Sequence, residues 1–350
     1  MLSLIEFLIG FAVVLGTLAD VFVSILMPGV TAGKLSVGSK IQSIAVPLWR
    51  RIARSSRHAG RHRWSNGFAP ILLALTFSTW LLLLLLGFGL ALHAMAPWFA
   101  PPLDQFSQAL YVAGSSILTL GVSEVDASGA ARWLILLGAL SGFSVITASV
   151  TFILQVQTAL QLRELLVMTL PTLASRPVTG IGILESFAQL GMRDDLPRFF
   201  REWHDWSGAI LHSHVAHPVL CYFHSVDGES DWLSSFESVL DASALVMALT
   251  DEAPGTAVLM HRAGSRTAAR LCRLFDLKDE QPASIDDRTV EALRKRLDVA
   301  GYPTSDSMAG LTSLTKLRAD YVGRIEALAS HLGATPANLD STSNRLVRGS

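Results

Sequence analysis

The segment Ser115–Val125, which reads SSILTLGVSEV, holds the residues whose chemistry is most distinctive. It contains no basic residue, lies between two long apolar runs, and is too polar to cross a bilayer as a helix. Irregular backbone at membrane depth is tolerated only where it is buried in protein or lines a watery cavity. Such a strip can turn its carbonyl oxygens toward a cation and replace the hydration shell of that ion. The segment therefore indicates an ion pathway.

Three apolar runs are long enough to hold this segment in a membrane. Of the 350 residues, 50% are hydrophobic and only 16% are charged, which indicates a membrane part joined to a soluble part. A transmembrane helix needs about 20 residues. The predicted spans are Leu2–Met27, Ile71–Met95 and Trp133–Val156. Between the second and third spans, the residues from Asp104 predict a short helix whose negative C-terminal end favours a cation at the membrane centre.

The distribution of Lys and Arg sets the predicted orientation. The segment after the first span has no Asp or Glu before Pro70 but carries Lys34, Lys40, Arg50, Arg51, Arg54, Arg57, Arg61 and Arg63. The segment between the second and third spans has no Lys or Arg before Arg132. We therefore expect the N-terminus outside, the basic linker inside with a helix on the anionic inner leaflet, and everything after the third span in the cytoplasm.

The order of span, short helix, strip and span resembles the pore module of the potassium channel superfamily. The likeness is greatest to bacterial two-transmembrane potassium channel-like proteins with an extra N-terminal helix and a helical cytosolic tail. The family filter reads T-x-G-Y/F-G-D, and Thr119 and Gly121 match it. Val122 replaces the aromatic residue, Ser123 replaces the second glycine, and Glu124 replaces the aspartate. The resemblance covers roughly the first 165 residues.

The resemblance implies a homotetramer in which one strip from each chain coordinates a monovalent cation such as K⁺. The implied filter residues are Thr119, Leu120, Gly121, Val122 and Ser123. Glu124 would form a ring of carboxylates that concentrates cations at the outer mouth. Because Ser123 is strained in the conformations that glycine adopts freely, and Val122 lacks the bracing ring, we expect weak discrimination between potassium and sodium.

Gly142 in the third span occupies the position of the family's gating hinge. It therefore predicts a bend that opens the inner gate. The alternative is close helix packing through Gly138 and Gly142, which lie four residues apart. The sequence favours the two equally. The third span is also more polar than the second, as a pore-lining helix should be, through Ser141, Ser144, Thr147, Ser149 and Thr151.

These observations predict an all-α membrane protein with a tetrameric pore-loop channel module and a helical cytosolic domain. The predicted divisions are an N-terminal transmembrane helix over 1–27, a basic linker over 28–69, a pore domain over 70–160, a regulatory domain over 161–335 and a disordered tail over 336–350. Within the pore domain we expect an outer helix at 71–95, a pore helix at 104–117, a filter at 118–125 and an inner helix at 131–160.

Several further groups invite a functional interpretation. We expect Asp20, inside the first span, to pair with an arginine of the linker, and Glu6 to reach the outer interface. The residues His204, His212, His214, His217, Cys221 and His224 match no known metal spacing, so we expect packing rather than a metal site. Arg262, Arg266, Arg270 and Arg273 share one helical face, which we expect to be solvated and paired with acids near Asp276, although an anionic ligand would also fit.

The sequence therefore predicts a cation channel of the cell inner membrane that is regulated by its cytosolic domain. A cytosolic ligand is compatible with this prediction, but the sequence does not identify one. It predicts no enzyme activity, no cofactor, no resident metal and no nucleic-acid partner. The first alternative is a non-conducting membrane scaffold or sensor that keeps a degenerate channel fold. A membrane-anchored enzyme has no supporting motif.

Overall fold

The computed structural model describes residues 2–26, 37–55, 58–121, 125–174, 177–223, 225, 231–251, 253–279, 285–304, 307–337 and 339. The first part of the chain contains α1 (Leu2–Leu26), α2 (Val37–Ser55), α3 (His58–Ala94), β1 (Phe99–Ala100), α4 (Phe106–Ile117), β2 (Asp126–Ala127) and α5 (Ala130–Leu173). The second part contains α6 (Gly180–Gln189), α7 (Leu196–Ala216), α8 (Trp232–Leu249), α9 (Gly255–Leu274), α10 (Asp287–Val299), α11 (Ser307–Ala319) and α12 (Val322–Leu332).

The chain forms two compact units. The first unit comprises Met1–Ser56 and Gly67–Gln157, and the second comprises Arg57–Asn66 and Thr158–Ser350. Helix α5 begins in the first unit and ends in the second, so the predicted inner helix at 131–160 continues thirteen residues further, to Leu173. The predicted outer helix at 71–95 is the apolar part of α3, which begins at His58, and α4 starts two residues after the predicted start at 104.

Four helices in the described part of the chain are long and apolar enough to cross a membrane. In three of them, at Ser3–Ile25, Gly67–Ala94 and Ala130–Leu173, only 28%, 28% and 33% of the apolar window is buried within the protein. These helices leave apolar surface for lipid, as the three predicted spans require. The fourth, α8, is 89% buried by the chain itself and carries Glu237 and Asp241. It is therefore the central helix of the second unit rather than a span, because no face remains for lipid.

Helices α1 and α3 are antiparallel and meet at three levels. Near one end, His93 Nδ1 and Glu6 Oε1 are 2.7 Å apart. In the middle, the backbones touch, since a Cβ on Gly10 would lie 2.5 Å from the carbonyl oxygen of Gly87. Near the other end, the indole N–H of Trp80 donates to Asp20 Oδ2 at 2.7 Å. The polar contacts at the two ends fix the register of α1 against α3. Apolar side chains alone would allow one helix to slide along the other.

A short ribbon links the segments before and after α4. Strand β1 pairs antiparallel with β2, with Phe99 opposite Ala127. The main-chain N–H and the hydroxyl of Ser128 both donate to the carbonyl of Trp98, at 2.9 and 2.8 Å. Gly129 has a φ of +49° and lies under the Trp98 ring, where a Cβ would be 2.1 Å from a ring carbon. The ribbon therefore holds the start of α5 close to the segment that leads into α4.

The core of the second unit surrounds α8, which contacts α6, α9, α11 and α12. The end of α5 is part of this core, because Val167, Leu170 and Ala174 are buried at helical spacing. Arg163 is only 1% exposed, and its guanidinium donates to the carbonyls of Leu220 and Phe223 at 3.0 and 2.8 Å. Together with an ion pair to Glu164 at 2.7 Å, these bonds satisfy the buried cation and anchor the last turns of α5.

Candidate ion pathway

Helix α4 is a half-length helix packed inside the first unit. Its 12 residues give a length of about 18 Å, short of the roughly 30 Å of bilayer hydrocarbon. One side is apolar and buried, through Ala109, Val112, Ala113 and Ile117. Its first turn is closed by the Gln108 side chain, which accepts from the Gln105 main-chain N–H at 3.2 Å. The helix therefore enters the unit and stops within it.

The described part of the predicted filter follows α4 directly and is exposed. Thr119 and Gly121 have positive φ values of 53° and 68°, and Leu120 N donates to the Ser115 carbonyl at 2.9 Å. A β-branched residue in this region of backbone space is strained, and such strain clusters at functional sites. Thr119, Leu120 and Gly121 thus lie together at the end of α4, whereas Val122, Ser123 and Glu124 fall outside the described residues.

Gly142 and Gly138 bring α5 against the end of α4. A Cβ on Gly142 would lie 2.1 Å from the carbonyl oxygen of Ile117, and one on Gly138 would lie 2.9 Å from the Ser116 hydroxyl. That hydroxyl donates to the main-chain carbonyl of Ile135. Both glycines therefore serve close packing, the second of the two interpretations that the sequence allowed. The bend predicted at Gly142 stays a prediction.

One face of α5 is polar and exposed within the apolar part of the helix. It consists of Ser144, Thr147, Thr151 and Gln155, spaced three, four and four residues apart. Ser141 and Ser149, which the sequence grouped with them, are instead buried at 9% and 8% exposure. Gln155 was missed because composition alone does not show which residues share a face. A polar stripe at membrane depth is unfavourable against lipid and suits a watery cavity.

The intramembrane acids have neutral or weakly basic partners. Asp20 accepts from the main-chain N–H of Val37 at 3.1 and 3.2 Å as well as from Trp80. Its carboxylate therefore caps the first turn of α2, where a negative charge is favoured by the helix dipole. The sequence predicted an arginine of the linker as the partner of Asp20. The side chains of the linker arginines from Arg50 to Arg63 are not among those that the structure describes. The carboxyl group of Glu6 contacts the ring of His93, whereas the sequence suggested that it reaches the outer membrane interface.

Two members of the histidine and cysteine cluster, His214 and Cys221, are buried in the second unit, whereas His212 is exposed. Among the residues that the structure describes, no group of three potential ligands could hold a metal ion, and His224 lies outside them. His214 is fully buried, its Nδ1 lies 3.0 Å from the Ile210 carbonyl, and burial beside Arg163 holds its pKa well below the ordinary value. Burial raises the pKa of the Cys221 thiol to about 12. His214 and Cys221 are therefore neutral core residues.

The arginine face of α9 is solvated, as the favoured interpretation predicted. Arg262, Arg266, Arg270 and Arg273 are not buried, whereas the opposite face buries Met260, Gly264 and Leu271. Within the described chain, none of these arginines forms an ion pair with an acid near Asp276. The nearby ion pair is instead Arg324 with Asp279, at 3.1 Å.

No protein-family model, curated protein or solved structure matches this chain. The class of protein follows from the structure alone. The chain is a mostly helical protein with apolar helices suited to a membrane and a second, separately packed helical unit.

Proposed function

We propose that the protein is a tetrameric, cation-conducting channel of the pore-loop type. The observation that carries the proposal is the half-helix α4, which stops inside the first unit and exposes Thr119, Leu120 and Gly121 at its C-terminal end. The helix dipole gives that end a partial negative charge, which favours a cation. Backbone carbonyls and the Thr119 hydroxyl supply the oxygen ligands that replace water around the ion.

The polar stripe on α5 supports a water-filled path on the inner side of this site. Its members, Ser144, Thr147, Thr151 and Gln155, are exposed in one chain, and a single chain cannot enclose them. Four chains around a common axis would bring four stripes and four copies of the Thr119–Gly121 strip face to face. Such an arrangement removes the polar stripes from contact with lipid. Each chain contributes one filter motif, and the four motifs together form one pathway.

The continuity of α5 supports regulation by the second unit. The polar stripe and the buried Arg163 belong to the same helix. A change in the second unit that shifts the Arg163 anchor therefore acts on the helix that lines the path. In this proposal the second unit is cytoplasmic, the N-terminus is outside, and the chain resides in the inner membrane, as the basic linker indicates. Gly142 and Glu124 keep their proposed roles in gating and in cation attraction.

The test combines mass and flux on purified protein. In mild detergent the protein should have the mass of four chains, and in liposomes it should carry potassium and sodium with weak discrimination. A tetramer without flux would favour the non-conducting scaffold, since the fold would be present and the path closed. A monomer or dimer would contradict the pore itself, because neither can close a ring around the strip.

A further inference from the structure

A set of ionisable groups lies within the second unit. Glu237 and Asp241 lie one turn apart on α8 and are 1% and 0% exposed. Arg318 comes from the end of α11, and Glu326 lies on α12. Tyr321, between these two helices, donates to Asp241 Oδ1 at 2.5 Å. His261 of α9 packs edge-on against the Tyr321 ring at 5.8 Å and is a further titratable group beside it.

The charges of this set do not balance when all of its carboxyl groups are ionised. Among the residues that the structure describes, two carboxyl groups of this set, on Glu237 and Asp241, are buried beside one guanidinium, on Arg318. Arg318 Nε lies 3.3 Å from Asp241 Oδ1, so the cation is engaged with Asp241. Asp241 Oδ2, although fully buried, has no hydrogen-bond partner. A buried carboxyl oxygen without a donor is the place where a proton lowers the free energy.

The chain segment after α12 contacts this set at Glu237. The helix ends at Leu332, and Gly333 turns the chain with a φ of +70°. The main-chain N–H of Ala334 returns to the Ala329 carbonyl at 3.0 Å. The N–H of Ala337 then donates to Glu237 Oε2 at 2.6 Å. Residues 334–337 therefore form a strap that is tied to the buried acid.

We propose that this cluster holds a proton while the strap is closed and that loss of the proton opens the strap. An ionised Glu237 beside an ionised Asp241 is unfavourable under the strap and becomes less so once water reaches it. Opening and ionisation therefore favour one another. The device is independent of the channel proposal, because it follows from α8, α11, α12 and the strap alone.

The pH range over which the strap should open follows from the raised pKa of Glu237. Burial, then the neighbouring Asp241, raises the pKa of Glu237 from 4.5 to about 8, and the hydrogen bond from Ala337, which favours the carboxylate, offsets only part of this rise. A group whose pKa is raised in the closed state stabilises that state fully below the ordinary value and loses this contribution as pH rises toward the raised value. Closure should therefore weaken between about pH 5 and pH 8, by up to about tenfold per pH unit when one proton is coupled.

Hydrogen exchange of the full chain in detergent tests the strap directly. The measured quantity is the protection of the peptide containing residues 334–337 at pH 6, 7 and 8, corrected with an unstructured peptide of the same sequence. In the wild type, protection should fall severalfold or more across this range. In Glu237→Gln, a neutral isostere, it should stay constant. The matched control is Glu291→Gln, a partly exposed acid paired with Arg294 on α10, which should retain the wild-type fall.

A second variant keeps the test decisive if Glu237→Gln does not fold. Ala337→Pro removes the N–H donor, so the strap should be open, with low protection, at every pH. Constant protection in the wild type would contradict the proposal, and so would an equal fall in the wild type and Glu237→Gln. Ion flux plays no part in these readouts, so failure of the channel proposal leaves them unchanged.

Discussion

Gly142 lies directly against the main-chain carbonyl of Ile117, at the point where the half-helix α4 ends. A Cβ at this position would come within 2.1 Å of the carbonyl oxygen. The strip Thr119–Gly121 starts two residues later, so the packing of α5 determines where the strip is held. The glycine that the sequence suggests as a hinge is also the glycine that positions the proposed ion site.

Replacing Gly142 with alanine should displace the end of α4. Overpacking of this kind costs about 1–3 kcal/mol. We expect a lower unfolding temperature and flux reduced severalfold in liposomes. The matched control is Gly16→Ala in α1, where a Cβ would have no neighbouring atom within 4 Å, so stability and flux should be unchanged. Wild-type stability and flux in Gly142→Ala would show that this contact does not hold the strip.

Cysteine modification can show whether the polar stripe of α5 is in contact with water. Thr147→Cys and Thr151→Cys should react with a charged thiol reagent, and reaction should reduce flux severalfold. Ser149→Cys, at a buried position of the same helix, should not react. The native background is low because burial raises the pKa of Cys221 and Cys272 to about 12 and about 11, which suppresses the reactive thiolate. Equal reaction at all three positions would contradict the interpretation that Thr147 and Thr151 are in contact with water and Ser149 is not.

The hydrogen bond from Trp80 to Asp20 should stabilise the packing of α1 on α3. Trp80→Phe keeps the ring packing but leaves the carboxylate with one donor fewer. We expect a loss of about 1–3 kcal/mol in the free energy of unfolding in detergent. Trp133→Phe is the control, because Trp133 is 71% exposed. A loss of the same size in both variants would assign the effect to the indole ring in general.

Acid should destabilise the second unit through His214. Its pKa is lowered by burial, then by Arg163, so the folded unit takes up a proton less readily than the unfolded chain. The stability is therefore fully present above about pH 6.5 and falls as pH drops below that value, by up to about 1.4 kcal/mol per pH unit. Glu237 acts in the opposite direction over part of this range, so the informative quantity is the difference between wild type and a variant.

His214→Phe retains an aromatic ring beside Trp232 and removes the titration. The variant should lose less stability than the wild type between about pH 6.5 and pH 5, as measured by chemical denaturation of the second-unit tryptophan signal. His204→Gln, at a partly exposed position on the same helix, is the control and should follow the wild type. Identical pH profiles for all three proteins would show that His214 takes up its proton without loss of packing.

Apolar runs predicted the three helices that are long and apolar enough to cross a membrane, because span length and hydropathy depend on local sequence. The three predicted spans coincide with helices that leave apolar surface exposed. Helix α8 has a comparable composition, and only its tertiary surroundings and its buried Glu237 and Asp241 identify it as a core helix. The prediction ended the inner helix at 160, where charged residues reappear in the sequence. Helix α5 continues beyond this point because its apolar stripe continues through Val167 and Leu170.

Contacts between distant residues could not be read from the sequence. An acid inside a span suggested a nearby arginine, whereas Asp20 accepts bonds from Val37 and from Trp80, sixty residues away. Periodicity placed Gly138 and Gly142 on one face but did not show that this face meets α4. The bond between Glu237 and Ala337 joins residues a hundred positions apart, and only the fold reveals it.

The reversal potential of purified protein in a planar bilayer with a potassium chloride gradient tests the central claim most directly. A cation pathway lined by carbonyl oxygens and Thr119 should give a reversal potential close to the equilibrium potential of potassium, and replacing potassium by sodium on one side should shift it only modestly. A reversal potential at the chloride equilibrium value, or no current from a protein that is tetrameric in detergent, would contradict the account.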